Sequence, residues 1–238
     1  LFVCLKIAGL QKLTLLDFPG KVACTVFTNG CNYRCPYCHN ASLVLTGNTQ
    51  SADEYLDMEE ITDFLEKRKG IIDGVVITGG EPTIQRGLEY MLEKIRKYDV
   101  SIKLDTNGSN PEVLRRLIAK NFIDYIAMDI KNSPSKYGKT AGLSAIDLDS
   151  IKESVKIVME SGKDYEFRTT LVKGIHEIED IEDIAKWISG AEKYFLQQFK
   201  DSGDLIKPDG LAPFSTEEMN DYADAARQFV ETVQLRGI

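Results

Sequence analysis

The feature that most constrains the fold is a group of three cysteines, Cys31, Cys35 and Cys38, in the spacing C-x3-C-x2-C. Side chains alternate between the two faces of a strand, so three thiols this close together require a curled loop. Such a loop can wrap a metal ion or a cluster, but structural zinc and iron–sulfur sites usually have four ligands. Three ligands therefore indicate either a fourth residue from elsewhere or a metal position left open for a substrate.

Composition narrows the class of protein. The chain has 238 residues, 43% hydrophobic and 28% charged, which is ordinary for a globular protein with a full core. A net charge of −8 without a clustered basic face argues against a nucleic-acid partner. The sequence contains no run of about 18 apolar residues, so it predicts no membrane-spanning helix. The N-terminal residues lack the basic leader and the cleavage site that are typical of a signal peptide. An odd total of five cysteines, including Cys4 and Cys24 in predicted strands, favours a metal site in a reducing cytoplasm over a disulfide framework.

Strand and helix patterns alternate along the chain. A strand or hairpin is expected within residues 5–20, an irregular stretch over 41–56, and a closing strand at 232–236. Between them the sequence predicts six β/α units, with strands at 21–28, 74–78, 101–106, 125–131, 165–172 and 194–199. Such alternation implies a parallel sheet with right-handed crossovers, as a partial barrel or an open doubly wound sheet. We expect one domain over 1–238, with an extension at 1–20, a six-stranded core at 21–199 and a closing helix and strand at 200–238.

Polar side chains cluster where the predicted strands end. Because the carboxyl ends of parallel strands meet at one edge, where α/β folds build their sites, we expect these side chains to converge. Side chains two apart in a strand share a face, so Asp129 and Lys131 should lie together, and Arg168 could bind a carboxylate through two hydrogen bonds. The strand-end groups are the cysteine loop, Gly79-Gly80-Glu81, Asp105, Asp129 with Lys131, and Gln197-Gln198.

Each of these groups also has a plainer interpretation. The two glycines allow close backbone approach to a ligand and Glu81 offers an acceptor for an ammonium group, but the same residues suit an ordinary strand-to-helix turn. The charged residues can be structural ion pairs. The cysteines can hold zinc, with His39 or Cys24 as the fourth ligand. His176 is expected to be an exposed loop residue.

Four segments, CNYRCPYCHN, GGEP, DTNG and MDIK, together resemble the radical S-adenosylmethionine (SAM) superfamily. Within it the chain resembles the glycyl-radical-enzyme activating proteins. Its stretch KIAGLQKLTLLDFPGKVACTVFTNGCN is most similar to the anaerobic ribonucleoside-triphosphate reductase activating proteins, which are close to the pyruvate formate-lyase activases. The resemblance covers most of the chain and implies a single-domain α/β fold, a partial (βα)6 barrel of the TIM type.

The resemblance also implies roles for individual residues. Cys31, Cys35 and Cys38 would hold a [4Fe–4S] cluster whose fourth iron is chelated by the amino and carboxylate groups of SAM. The other implied contacts are Tyr37 and His39 at the adenine end, Gly79, Gly80 and Glu81 at the amino group, Lys131 and Arg168 at the carboxylate or ribose, and Asp105 with Asp129 beside a monovalent cation. The activase pattern has a histidine on the last strand, where this chain has Gln197 and Gln198.

The implied reaction needs no catalytic residue beyond the cluster and SAM. Reductive cleavage of SAM would give a 5′-deoxyadenosyl radical, which would abstract hydrogen from a glycine of a partner glycyl radical enzyme. A low-potential donor, flavodoxin or ferredoxin, would supply the electron in an oxygen-free cytoplasm. Two alternatives stay open: a radical SAM enzyme acting on a small molecule, similar to carboxy-deazaguanine synthase, and a zinc-binding structural or interaction module.

Overall fold

The computed structural model describes residues 5–45 and 55–238, and Cys4 lies outside them. Eight strands form a single sheet in sequential order. The first strand is antiparallel to the second, and each later strand is parallel to the one before it. The strands are β1 (Ile7–Thr14), β2 (Ala23–Thr28), β3 (Gly74–Gly79), β4 (Ser101–Thr106), β5 (Tyr125–Asp129), β6 (Asp164–Leu171), β7 (Lys193–Gln198) and β8 (Thr232–Arg236).

Helices connect the parallel strands and cover the outer face of the sheet. Their apolar residues recur at helical spacing, as with Ile61 and Leu65 of α2, which are buried. Asp57 and Glu60 form the reciprocal capping box that the sequence predicts before α2. The helices are α1 (Ala41–Leu45), α2 (Met58–Lys67), α3 (Leu88–Ile95), α4 (Pro111–Ala119), α5 (Tyr137–Thr140), α6 (Leu148–Glu160), α7 (Ile178–Trp187) and α8 (Thr216–Ala226).

The inner face of the sheet differs from its apolar outer face. At the amino ends of the strands, Phe18 and Tyr125 pack edge to face at 5.8 Å between ring centroids and fill the interior. Further toward the carboxyl ends of the strands lie buried charged side chains, including Lys103 and Glu166, which are 1% and 0% exposed. The interior therefore changes from apolar at one end of the strands to charged toward the other.

The α/β fold with a partial barrel is confirmed: six strand–helix units run from β2 to α8, and β8 follows them in the sheet. The expectation of irregular chain over 41–56 is wrong for Ala41–Leu45. Those residues form α1, in which Ala41 and Val44 are buried. Residues 46–54 of that stretch lie outside the described part of the chain. None of the described helices is long and apolar enough to cross a membrane.

Candidate functional site

A cavity of about 280 Å³ opens at the carboxyl ends of the parallel strands. Every site residue selected from the sequence lies on its wall, although these residues come from the cysteine loop and from the ends of five different strands. The expected convergence is therefore observed. The residues are Cys31, Cys35, Tyr37, Cys38, His39, Gly79, Gly80, Glu81, Asp105, Asp129, Lys131, Arg168 and Gln198.

The cysteine loop is fixed by backbone hydrogen bonds to three separate segments. Gly30 N–H donates to Leu43 O at 2.8 Å, Arg34 N–H donates to Ala141 O at 2.8 Å, and Lys207 N–H donates to Pro36 O at 3.0 Å. These bonds hold the curl between β2 and α1 from both sides. The three thiols thus have a rigid frame rather than a free loop.

The thiols themselves suit a cluster. Cys35 is 7% exposed, and burial raises the pKa of its thiol to about 12. Metal binding would therefore have to displace the proton. The backbone N–H of Tyr33 donates to Cys31 Sγ at 3.3 Å, the kind of hydrogen bond that tunes iron–sulfur clusters.

Zinc needs its ligands about 2.3 Å from a single ion, whereas a [4Fe–4S] cluster takes each thiolate on a different iron. Within residues 5–45 and 55–238, no three His, Cys, Asp or Glu side chains are placed so that they could hold one metal ion.

Gly79 and Gly80 are required by the backbone of the neighbouring strand and loop. A Cβ on Gly79, whose φ is +108°, would lie 2.4 Å from Thr28 O, and one on Gly80 would lie 2.0 Å from Gly30 O. Glu81 N–H also donates to Gly30 O at 2.9 Å. The sequence suggested close approach to a ligand, but the closest approach is to the chain that leads into the cysteine loop.

We expect Gly80→Ala to destabilise the protein by about 1–3 kcal/mol, since a backbone carbonyl cannot move aside without shifting the loop. Chemical denaturation of the apoprotein measures the loss. Gly9→Ala is the matched control, because a Cβ at Gly9 meets no atom within 4 Å. Equal stability of the two variants would contradict the close approach.

The carboxylate of Glu81 is saturated with donors from its own turn and from the end of β4. Its Oε1 accepts hydrogen bonds from Thr83 N–H, Thr83 Oγ1 and Thr106 Oγ1 at 3.1, 2.5 and 2.7 Å, and its Oε2 accepts from Asn107 N–H at 2.7 Å. Burial raises the pKa of this carboxyl, and the hydrogen bonds oppose that rise. Glu81 therefore fixes the turn after β3 against β4.

A chain of five charged groups crosses the interior from β4 to β6. Arg168 donates from Nε to Asp129 Oδ1 at 2.8 Å and from Nη1 to Asp105 Oδ2 at 3.1 Å. Lys103 Nζ lies 2.5 Å from Asp105 Oδ1, and Lys131 Nζ lies 3.0 Å from Asp129 Oδ2. Lys131, Arg168, Asp105 and Asp129 line the cavity, where their two positive and two negative charges balance. Lys103 pairs with Asp105 but does not line the cavity.

Several wall residues were not selected from the sequence. Thr170 lies two positions after Arg168 on β6, so the strand period could have found it. Tyr33 and Asn107 lie inside quoted motifs but were given no role; Asn107 Nδ2 is 3.9 Å from Cys31 Sγ. The remaining additions to the wall are Asn40, Val44, Thr78 and Thr106, and Gln197 lines it beside Gln198.

Unpartnered polar atoms concentrate on this wall. Among the described residues, Tyr33 OH, Tyr37 OH and Gln198 Oε1 are buried without a hydrogen-bond partner, and all three residues line the cavity. Unlike its Oε1, the side-chain amide nitrogen of Gln198 has a partner, because it donates a hydrogen bond to Phe214 O. Buried polar groups in proteins nearly always have partners, so these atoms indicate a polar ligand.

The two histidines differ from each other. His39 stacks on Phe199 at 6.3 Å between ring centroids and lines the cavity. The expectation that His176 is exposed is wrong: it is 3% exposed, its Nδ1 accepts from Val172 N–H at 3.1 Å, and its Nε2 lies 2.9 Å from Lys131 O. The loop after β6 folds back over the end of β5, which a sequence pattern does not reveal.

Comparison with known proteins identifies relatives along nearly the whole chain. Residues 25–188 match the sequence model of the radical SAM superfamily. A Methanocaldococcus jannaschii protein named as a glycyl-radical enzyme activating enzyme is 32% identical, covering 98% of this chain and 96% of that one. A Thermococcus kodakarensis protein named as a GTP 3′,8-cyclase is 29% identical over 63% of this chain and 47% of its own length.

In structure, a domain of pyruvate-formate lyase-activating enzyme from Bacteroides vulgatus superposes with a TM-score of 0.56 at 16% identity, covering 69% of this chain and 99% of that domain.

Proposed function

This chain belongs to the radical SAM superfamily, and we propose that it activates a glycyl radical enzyme by abstracting hydrogen from a glycine of that partner. The observation that carries the proposal is the similarity to an activating enzyme over nearly the full length of both chains. The cavity supports it, because the cysteine loop and the Gly79-Gly80-Glu81 turn face one space. The superfamily implies a [4Fe–4S] cluster and SAM as cofactors.

Cys31, Cys35 and Cys38 would hold the cluster. When bound, the cluster supplies the low-potential electron that cleaves SAM. No residue has to transfer a proton in that chemistry. The contribution of the protein is to bind, to orient and to exclude water.

The remaining wall residues are proposed to bind SAM. Glu81 holds the turn in place, so the amino group would be taken by that turn as a whole. The Lys131 ammonium and the Arg168 guanidinium would donate hydrogen bonds to its carboxylate. Tyr37 and His39 would lie against the adenine. The buried Oε1 of Gln198 would accept a hydrogen bond from a ribose hydroxyl, in the position where the activase pattern has histidine.

A monovalent cation beside Asp105 and Asp129 is the part of the proposal that the geometry supports least. Arg168 already bridges the two carboxylates, and Lys103 and Lys131 each contact one of them. A further cation would enter a group that already holds three cations against two carboxylates. We propose that it binds only together with the carboxylate of SAM, whose negative charge would offset that of the added cation.

We expect Lys131→Ala to weaken SAM binding by about tenfold or more, because a hydrogen bond to a charged group contributes about 1.5–3 kcal/mol. Cluster content should fall less than SAM binding, since Lys131 pairs with Asp129 and acts on Cys35 only through its charge. Equilibrium binding of SAM and iron and sulfide analysis measure the two quantities. Lys152→Ala, at an exposed helix position, is the control. Equal loss of SAM binding and cluster would make Lys131 a structural residue.

The function is tested by anaerobic incubation of the reconstituted protein with SAM, a reductant and candidate glycyl radical enzymes. We expect a broad absorbance near about 400 nm from the thiolate-bound cluster and a glycyl doublet in electron paramagnetic resonance. Colourless reconstituted protein would rule out radical SAM chemistry. It would leave the zinc-binding module as the remaining interpretation.

A small-molecule substrate is the second candidate. The partial match to a protein named as a GTP 3′,8-cyclase favours it, although this chain spans only 47% of that relative. SAM-dependent turnover of a small molecule without a glycyl doublet would support it over the activase.

The setting follows from the proposed chemistry. A cluster with one iron left to SAM is exposed to oxidation, so we propose that the enzyme works in an anaerobic cytoplasm. A low-potential carrier, flavodoxin or ferredoxin, would reduce it. We propose no nucleic-acid or membrane partner.

A further inference from the structure

A second concavity, of about 710 Å³, lies on the outer side of the cysteine loop. We call it the outer groove. The outer groove and the cofactor cavity share no lining residue in the described part of the chain. Its lining includes Arg34, Pro36, Lys136, Lys139, His176 and Lys207.

The cysteine loop is the wall between the two spaces. Residues 33, 35 and 37 line the cavity, whereas Arg34 and Pro36 line the outer groove. Cys35 therefore lines the cofactor cavity, whereas the residues before and after it, Arg34 and Pro36, line the outer groove. His176 on the groove side packs edge to face against Tyr37 on the cavity side, at 6.3 Å between ring centroids. One layer of chain separates the groove from the site of the cluster.

The outer groove is positive on a protein whose net charge is −8. Lys136 is neutralised by Glu177 and Asp180. The guanidinium of Arg34 donates to the carbonyls of Cys31 and Tyr33 and keeps its full charge. Lys139 and Lys207 are exposed and have no charged partner among the residues described.

Apolar side chains accompany these charges. Pro36, Ile175 and Ile206 also line the groove, so positively charged residues surround an apolar patch. Small patches of this kind suit the weak, short-lived contacts of electron-transfer proteins, in which complementary charge steers the encounter. A partner seated here would be close to the cluster while the mouth of the cavity stayed open.

We propose that the outer groove is the docking surface for the electron donor, an acidic one-electron carrier protein. The inference rests on the proposed function, because only a reductively activated cluster needs such a donor. The carrier loses one electron and the cluster gains it, without transfer of an atom. The glycyl radical enzyme would instead approach the open cavity.

The test compares Lys139→Glu/Lys207→Glu with wild type as reconstituted holoproteins. Flavodoxin reduced to the hydroquinone is the protein donor, dithionite is the chemical donor, and 5′-deoxyadenosine is the readout. We expect kcat/KM for flavodoxin to fall about tenfold or more at low salt, and the dithionite rate to stay unchanged. The salt dependence of the flavodoxin reaction should also flatten in the variant.

The control is Lys12→Glu/Lys69→Glu, which makes the same change in net charge at exposed positions outside the groove. It should keep both rates. Affinity of the holoproteins for flavodoxin, measured without SAM, decides the docking site even if no glycine is ever activated. Equal flavodoxin affinity and use in wild type and groove variant would overturn the proposal. So would a groove variant that uses flavodoxin normally but loses the glycyl doublet, which would assign the groove to the glycyl radical enzyme.

Discussion

Arg236→Ala is expected to destabilise the protein by about 3 kcal/mol at neutral pH. This is the lower end of the range found when one partner of a buried ion pair is removed, because the Arg236 side chain is 32% exposed. Glu166 of β6 is 0% exposed, and its two carboxylate oxygens each accept one hydrogen bond of 2.8 Å from Arg236 of β8. The guanidinium also lies 3.4 Å from the centre of the Phe195 ring on β7. Removal of Arg236 would leave a buried carboxylate with only Tyr125 OH as a direct partner. Urea denaturation of the apoprotein measures the loss.

The effect of Arg236→Ala should depend on pH. Burial alone would raise the pKa of Glu166, but Arg236 and nearby cations lower it in the wild type. A lowered pKa stabilises the fold above the unfolded value of about 4.3, and this contribution is lost as the pH falls through the folded pKa. In the variant burial dominates, so Glu166 takes up a proton at higher pH. The difference in unfolding free energy should therefore shrink toward acid pH.

Arg115→Ala is the matched control for this pair, because Arg115 forms exposed ion pairs with Glu112 and Glu153. It should leave stability unchanged. The double variant Glu166→Leu/Arg236→Met should be more stable than Arg236→Ala, since the carboxylate of Glu166 is then not left buried without Arg236. A destabilisation of Arg236→Ala no larger than that of Arg115→Ala would contradict the role assigned to the pair.

Cys35→Ala is expected to abolish the dithionite-driven cleavage of SAM. Cys35 is the most buried of the three loop thiols, and a cluster held by two cysteines would not assemble stably. Chromatography of 5′-deoxyadenosine measures the loss, and iron and sulfide content should fall with it. Thermal unfolding of the apoprotein tests whether the loop variant is still folded.

Cys24→Ala provides the contrast. Cys24 lies in the middle of β2, is 0% exposed and does not line the cavity. We expect this variant to keep its cluster and its SAM cleavage. Retained cleavage by Cys35→Ala would refute the cluster assignment, and loss of the cluster in Cys24→Ala would make Cys24 the missing fourth ligand.

The site could be predicted from the sequence because its residues follow strands that are easy to recognise. Apolar runs such as GVVIT end in Gly79-Gly80-Glu81, and the parallel order brings each such end to one edge. The charges of Asp105, Asp129 and Arg168 were found for the same reason.

What the sequence missed depends on contacts between distant elements. The pairing of Glu166 with Arg236 crosses β7 and joins residues 70 positions apart. Lys103 and Glu166 stand two residues before Asp105 and Arg168, so the strand period places them inward, but nothing local shows that they are paired. The same limit applies to Glu81, whose partners Thr106 and Asn107 belong to the next strand and its loop.

The central claim is that a glycine of a partner protein gives up hydrogen to the radical formed in this cavity. The most direct measurement uses a candidate glycyl radical enzyme made with α-deuterated glycine, incubated anaerobically with the reconstituted protein, SAM and reductant. Mass spectrometry of the 5′-deoxyadenosine should find one deuterium atom gained from the partner, together with a glycyl doublet. Cleavage of SAM that yields only unlabelled 5′-deoxyadenosine and no doublet with every candidate would contradict the account.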